Sequence, residues 1–262
     1  MEKFPVVNVG GSIEEALKGN YSLDVRAILE EAWQLTNKSR VSIVLGLLIS
    51  FGIGILATMI VSQSLGGIET VTNDPQLFFL VNIVITLIVW PFLAGVEMMG
   101  VLHSIGVKTQ PKLVFAFLKR GSWVALCAVM VSMLISLGLQ LLIIPGIFLA
   151  VSLSLTIPLV VEKKLSPGKA IVLCIKATRF QWFKIFSLYL VLLGVLLLAL
   201  FPIALLAKTS VGILGVMLFL FIFTYLAPMY YNVKGIVYRE IFGLQFQAVE
   251  GNTPVNDDIF TA

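Results

Sequence analysis

The chain has 262 residues, 59% of them hydrophobic and only 12% charged, with a formal charge of +4 at pH 7 and a mean hydropathy of +1.03. Soluble domains carry about 25% charged residues, so this composition excludes a water-soluble fold and points to an integral membrane protein.

The first 22 residues mix acids with bases and contain no apolar run of the signal-peptide kind, so the N-terminus is expected to stay on the side where it is made. The stretch Ser22–Arg40 places Val25, Ile28, Leu29, Ala32 and Leu35 on one helical stripe, with Arg26, Glu30, Glu31 and Gln34 facing away. A helix of this kind lies in the membrane interface. A transmembrane helix needs about 20 apolar residues, and the first such run covers 41–64. A short loop, Gly66–Gln76, leads to a second span at 77–101 with Pro91 inside it. A second lead segment, Gln110–Trp123, opens with Pro111, which suits a first helical position because no amide donor is needed there. Spans at 122–143 and 146–161 follow, joined by a tight Pro145-Gly146 turn. The short fourth run reads as a true crossing, because its flanks differ sharply in charge; a re-entrant hairpin is the alternative. Glu162-Lys163-Lys164 then marks the membrane surface. Ser166 and Pro167 start a third lead segment, Ser166–Lys184. Spans at 183–206 and 211–233 complete the set, and a polar, acidic tail closes the chain.

The basic residues orient these spans. They gather before span one (Lys3, Lys18, Arg26, Lys38, Arg40), between spans two and three (Lys108, Lys112, Lys119, Arg120), between spans four and five (Lys163, Lys164, Lys169, Lys176, Arg179, Lys184) and after span six (Lys234, Arg239). Of 18 basic residues only Lys208 falls on the other side. The positive-inside rule makes the basic face cytoplasmic, with both termini on it.

Spans two, four and six each carry one proline, at Pro91, Pro158 and Pro228, and each span pair follows a basic, amphipathic lead segment. Agreement among prolines, lead segments and charge predicts an internal repeat. The expected fold is an all-α, polytopic membrane helix bundle of six transmembrane helices. These form three pseudo-repeats, each an interfacial helix plus a helical hairpin. The expected division is an N-terminal segment at 1–21, units at 22–101, 102–164 and 165–244, and a tail at 245–262.

The run from Gln140 to Val191 resembles a family of bacterial inner-membrane proteins, the YciC-like group, itself related to the membrane domain of glycerophosphodiester phosphodiesterases. The residues that carry the likeness are Pro145-Gly146-Ile147, Pro158-Leu159-Val160-Val161-Glu162, Leu165-Ser166-Pro167, Ala170, and Thr178 with Trp182. The resemblance implies a multi-pass protein of the cytoplasmic membrane. It transfers no catalytic residue: phosphodiester chemistry needs a separate soluble barrel rich in histidine and carboxylate, and this chain has a single histidine.

Candidate sites are few. His103 has Glu97 as its nearest acid in sequence, about 9 Å away along a helix, too far for a triad or metal centre. No phosphate-binding glycine loop occurs. No catalytic, cofactor-binding or metal-binding residue is therefore assigned. Cys127 and Cys174 read as small core hydrophobes. Glu97, inside span two, is the candidate buried ionisable residue, expected to sit in an ion pair rather than on a substrate. Glu162 reads as interfacial. Lys119, Arg120, Trp123, Lys163, Lys164, Arg179, Trp182 and Lys184 are candidate contacts for lipid headgroups. Pro91, Pro158 and Pro228 are candidate kinks that could frame a vestibule lined by Asn82, Thr86, Ser152, Ser154, Thr156, Thr224, Tyr225 and Asn232, although packing between helices is the favoured reading of those groups.

These features predict a non-enzymatic protein that organises or senses the membrane through anionic lipids on its cytoplasmic side. A homo-oligomer or membrane-protein partner is compatible with that reading, and nucleic acid is not. A transporter or channel for an amphipathic solute is the runner-up, weakened by the lack of charge near any span midplane. A lipid-headgroup enzyme built on Glu97, Glu162 and His103 ranks third.

Overall fold

A computed structural model of the chain describes residues 6–206 and 212–247. Among these residues five helical stretches are long and apolar enough to cross a membrane: Val25–Ser64, Pro75–His103, Pro111–Leu141, Pro167–Leu206 and Gly212–Phe242. The protein is a multi-pass α-helical membrane protein.

A short helix α1 (Ile13–Lys18) precedes α2 (Val25–Ser64). The carboxylate of Asp24 caps α2 by accepting from the amides of Arg26 and Ala27. The lead segment and first span expected as separate helices are one helix of 40 residues. Nothing in Lys38-Ser39-Arg40-Val41-Ser42 breaks a helix, so the change from charged to apolar sequence happens without a bend signal. At about 60 Å, α2 is twice the roughly 30 Å thickness of bilayer hydrocarbon, and its basic end projects beyond it.

After α3 (Ile68–Asn73), Asp74 caps α4 (Pro75–His103) through the amides of Gln76 and Leu77, at 2.8 and 3.2 Å. The second lead segment is two 3-10 turns, Pro111–Phe115 and Leu118–Arg120, rather than an amphipathic helix. They run into α5 (Gly121–Leu141). The turn expected at Pro145-Gly146 lies instead at Leu142, which is extended, and both residues fall inside α6 (Ile143–Ser152). The fourth span is broken: α6 stops at Ser152 and α7 covers Thr156–Val161. Pro158 supplies the reason, since its ring displaces the carbonyl four residues earlier and removes one bond of the ladder. The third lead segment forms α8 (Pro167–Thr178), with Pro167 at the first position as expected, but Ser166 makes no side-chain capping bond. A 3-10 turn, Arg179–Gln181, connects it to α9 (Trp182–Leu206), and α10 (Gly212–Phe242) follows.

One feature is not helical. Strand β1 (Val6–Val9) pairs antiparallel with β2 (Leu244–Gln247), with Val6 opposite Gln247 and Val9 opposite Leu244. Gly243 ends α10 in a left-handed conformation (φ 63°), its amide bonded to the carbonyl of Arg239 at 3.0 Å, and so turns the chain into the ribbon. The start of the expected tail is thus structured; the remainder of that tail and the expected outer link with Lys208 lie outside the described residues.

Helix α10 packs on α2, α4 and α9, and α4 packs on α2, α5 and α10. Burial is concentrated at the basic end. Every residue from Ala94 to His103, from Thr156 to Val161 and from Asn232 to Tyr238 is buried. Towards the other end the same helices expose Phe51, Ile55, Met59, Phe79, Leu198, Phe201 and Phe221. Such a surface is stable only where lipid is the solvent.

Tyr21 ties the N-terminal segment to α8 by donating to the carbonyl of Ala177 at 2.7 Å. Burial pushes its phenol from the usual 10 up to about 12. The folded protein therefore holds this proton where the unfolded chain has released it, so stability is intact below pH 10 and falls as pH rises towards 12. Thermal melts in detergent are expected to show this loss for the natural chain. Tyr21→Phe should flatten it, at a cost of about 1 kcal/mol for the missing hydrogen bond; an unchanged alkaline slope would rule Tyr21 out as its source.

Candidate functional site

The buried polar groups collect where α4 and α10 cross. Gly100 and Gly235 face each other there: a Cβ on Gly235 would meet the Gly100 carbonyl and, at 2.7 Å, the amide nitrogen of Val101. With the backbones this close, side chains within one turn of the contact are brought together. Lys234 Nζ donates to Glu97 Oε1 at 2.6 Å, and both side chains are at least 94% buried. The second oxygen, Oε2, has no hydrogen-bond partner among the described residues. The Tyr230 ring lies 5.6 Å from the ammonium. Beside it, Tyr189 on α9 donates to Ser154 Oγ at 2.9 Å. Lys234 was expected among the surface bases; it is in the core.

His103 lies six residues beyond Glu97 along α4. Its Nδ1 is 3.1 Å from both Ser39 Oγ and Asn232 Oδ1, and its Nε2 is 2.7 Å from Thr109 Oγ1. Asn232 in turn donates to Thr36 Oγ1 at 3.0 Å. The ring is thus bonded at both nitrogens to hydroxyl and amide groups of α2, α10 and the loop that follows α4. Among the described residues no group of three His, Cys, Asp or Glu side chains stands close enough to hold a metal ion.

Glu162 is buried rather than interfacial. Its Oε2 accepts from Tyr238 at 2.7 Å, and its Oε1 accepts from Lys163 at 3.1 Å and from the Gln245 amide at 3.3 Å. Burial pushes its carboxyl above the usual range, and the Lys163 ammonium and the Tyr238 hydroxyl oppose that shift. The carboxylate joins the end of α7 to α10 and β2. Arg239 closes the same end of the bundle, with Glu31 at 2.7 and 3.0 Å, Glu240 at 2.7 Å and the carbonyl of Ser104.

The eight candidate headgroup residues divide in two. Lys119, Trp123, Lys164, Arg179 and Lys184 are exposed, with the Arg179 guanidinium 4.6 Å over the Phe180 ring. Arg120 donates to the Val160 carbonyl at 3.2 Å, Lys163 pairs with Glu162, and Trp182 is stacked between Phe148 and Phe186. Pro91, Pro158 and Pro228 are all buried, and Ser152, Thr156 and Asn232 lie in the core with them. A cavity of about 460 Å³ lies elsewhere, towards the apolar end between α2 and α4, lined by Phe51, Ile55, Met59, Asn82, Thr86 and Trp90 among others.

Comparison with protein-family models, with curated proteins and with solved structures finds no match for this chain.

Proposed function

We propose that this protein is a non-enzymatic, multi-pass protein of the bacterial inner membrane that organises or senses the membrane by holding anionic lipid headgroups at its basic face. The observation that carries the reading is the exposed set of cations and aromatics on two segments, 119–123 and 179–184: Lys119, Trp123, Arg179, Phe183 and Lys184 are exposed, while the core's own charges are paired. Trp at the headgroup level and Lys or Arg beside it are the chemistry that recognises anionic lipid. The orientation with both termini cytoplasmic, the three-unit architecture and the YciC-like likeness over 140–191 belong to the same proposal.

Native mass spectrometry of the protein released from mixed micelles tests it, with phosphatidylglycerol and phosphatidylcholine in equal amounts. The natural chain is expected to retain phosphatidylglycerol preferentially. Each basic residue near an anionic surface contributes about 1 kcal/mol. The triple substitution Lys119→Gln, Arg179→Gln, Lys184→Gln should therefore weaken that retention by roughly 100-fold. Equal retention of the two lipids by the natural chain would sink the reading. Transport of an amphipathic solute is the second reading, and the cavity between α2 and α4 is what favours it: Thr58, Asn82 and Thr86 offer polar atoms within a mostly apolar lining.

A further inference from the structure

Arg40 is the last charged residue of α2 before the uncharged stretch 41–64, so it stands where the helix passes from the polar to the apolar environment. Its guanidinium carbon lies 4.1 Å over the face of Tyr225 on α10. Tyr225 is stacked on Trp33 at 5.9 Å, on its charged side, and packs against Phe221 at 5.5 Å, on its apolar side. Trp33 and Phe221 are 47% and 62% exposed, so the cluster opens to the surroundings of the bundle. Among the described residues, the Arg40 guanidinium donates no hydrogen bond and pairs with no carboxylate, unlike Arg26, Arg120 and Arg239, which all do one or the other.

A guanidinium held over a ring by cation–π attraction still has N–H donors to offer, in the paired arrangement that matches phosphate oxygens. The ring restrains the side chain, so less rotamer freedom is lost when an anion arrives. Trp33 adds an indole of the kind that settles at the headgroup level, and Phe221 offers an apolar surface on the hydrocarbon side. We propose that Arg40, Tyr225 and Trp33 form a discrete binding site for the phosphate of an anionic glycerophospholipid, at the seam between α2 and α10. The complementarity is one of charge and of depth: a cation at the polar–apolar boundary, over an aromatic platform, with no carboxylate paired to it among the described residues. The site deepens the lipid reading above and rests on it, but it shares no residue with the exposed set of Lys119, Arg179 and Lys184.

The test titrates the full chain in detergent with phosphatidylglycerol, counting bound lipids by native mass spectrometry at increasing collision energy. The natural chain is expected to keep one lipid at energies that strip the rest. Arg40→Gln should lose that last lipid, weakening it at least tenfold. Arg40→Lys, which keeps the charge without the planar fork, should fall between. Tyr225→Leu keeps the charge and removes the platform, and is expected to weaken the same lipid two- to fivefold; it also serves if Arg40→Gln fails to fold. The triple Lys119, Arg179, Lys184 variant should leave this lipid in place. If Arg40→Gln and Tyr225→Leu both retain it undiminished, the site is wrong while the general lipid reading stands. If the natural chain prefers no anionic lipid, both fall. Displacement of the lipid by equimolar inorganic phosphate would show a soluble-anion site and overturn the assignment to lipid.

Discussion

Replacing Lys234 by methionine is expected to destabilise the folded protein by about 3–5 kcal/mol, the cost of leaving one member of a buried ion pair without its partner. Among the described residues Glu97 has a single hydrogen-bond donor, Lys234 itself, and its other oxygen is already without one. Water cannot take the place of the ammonium without opening the crossing of α4 and α10, where every neighbour from Ala94 to His103 is buried. The double variant Glu97→Leu, Lys234→Met removes both charges and keeps apolar volume. It is expected to recover most of the loss, because buried pairs seldom outperform well-packed hydrophobic residues. Unfolding by denaturant in detergent micelles, followed by circular dichroism, measures both. A double variant as weak as the single one would mean that Glu97 and Lys234 are not coupled.

Gly235→Leu should have an effect of at least similar size, about 3 kcal/mol or more. The new side chain would begin inside the backbone of α4, against the carbonyl of Gly100 and the amide of Val101. Neither is the far end of a flexible group, so the helices themselves must separate, and with them the Glu97–Lys234 contact one residue away. Gly52→Ala is the control. It lies in α2 with nothing within 4 Å of the added carbon, and in a helix interior the change should be neutral or stabilise by about 0.5–1 kcal/mol. Comparable losses for the two substitutions would remove the crossing as the cause.

How much of this was legible in the sequence follows from the range of each interaction. Membrane character, the long apolar helices and the start of α8 at Pro167 depend on local composition and on one residue's missing amide, so they could be read directly. The fusion of lead segment and span in α2 could have been suspected, since no proline or glycine occurs from Ser22 to Leu45. The break before α7 is likewise written in Pro158. Glu162 and Lys234 were misplaced for a different reason. A charge beside an apolar run looks the same whether it faces water or a partner, and their partners lie 76 and 137 residues away. The ribbon was missed because its strands are four residues each and stand at opposite ends of the chain. The platform under Arg40 needed Tyr225, which no local pattern connects to it.

The pairing of Val6–Val9 with Leu244–Gln247 has a consequence for how the protein is made. Synthesis runs from the first strand to the second, and domains generally consolidate as their segments emerge. Here the segment that must receive β1 leaves the ribosome only after α10 has been translated. Helices α2 to α9 can settle in lipid one at a time, since each satisfies its own backbone. Glu97 meanwhile waits without its lysine, and Glu162 without Tyr238 or the Gln245 amide. Closure of the basic end is thus a late event in biogenesis: a chain interrupted before Lys234 leaves Glu97 without its donor, while Glu162 keeps only Lys163.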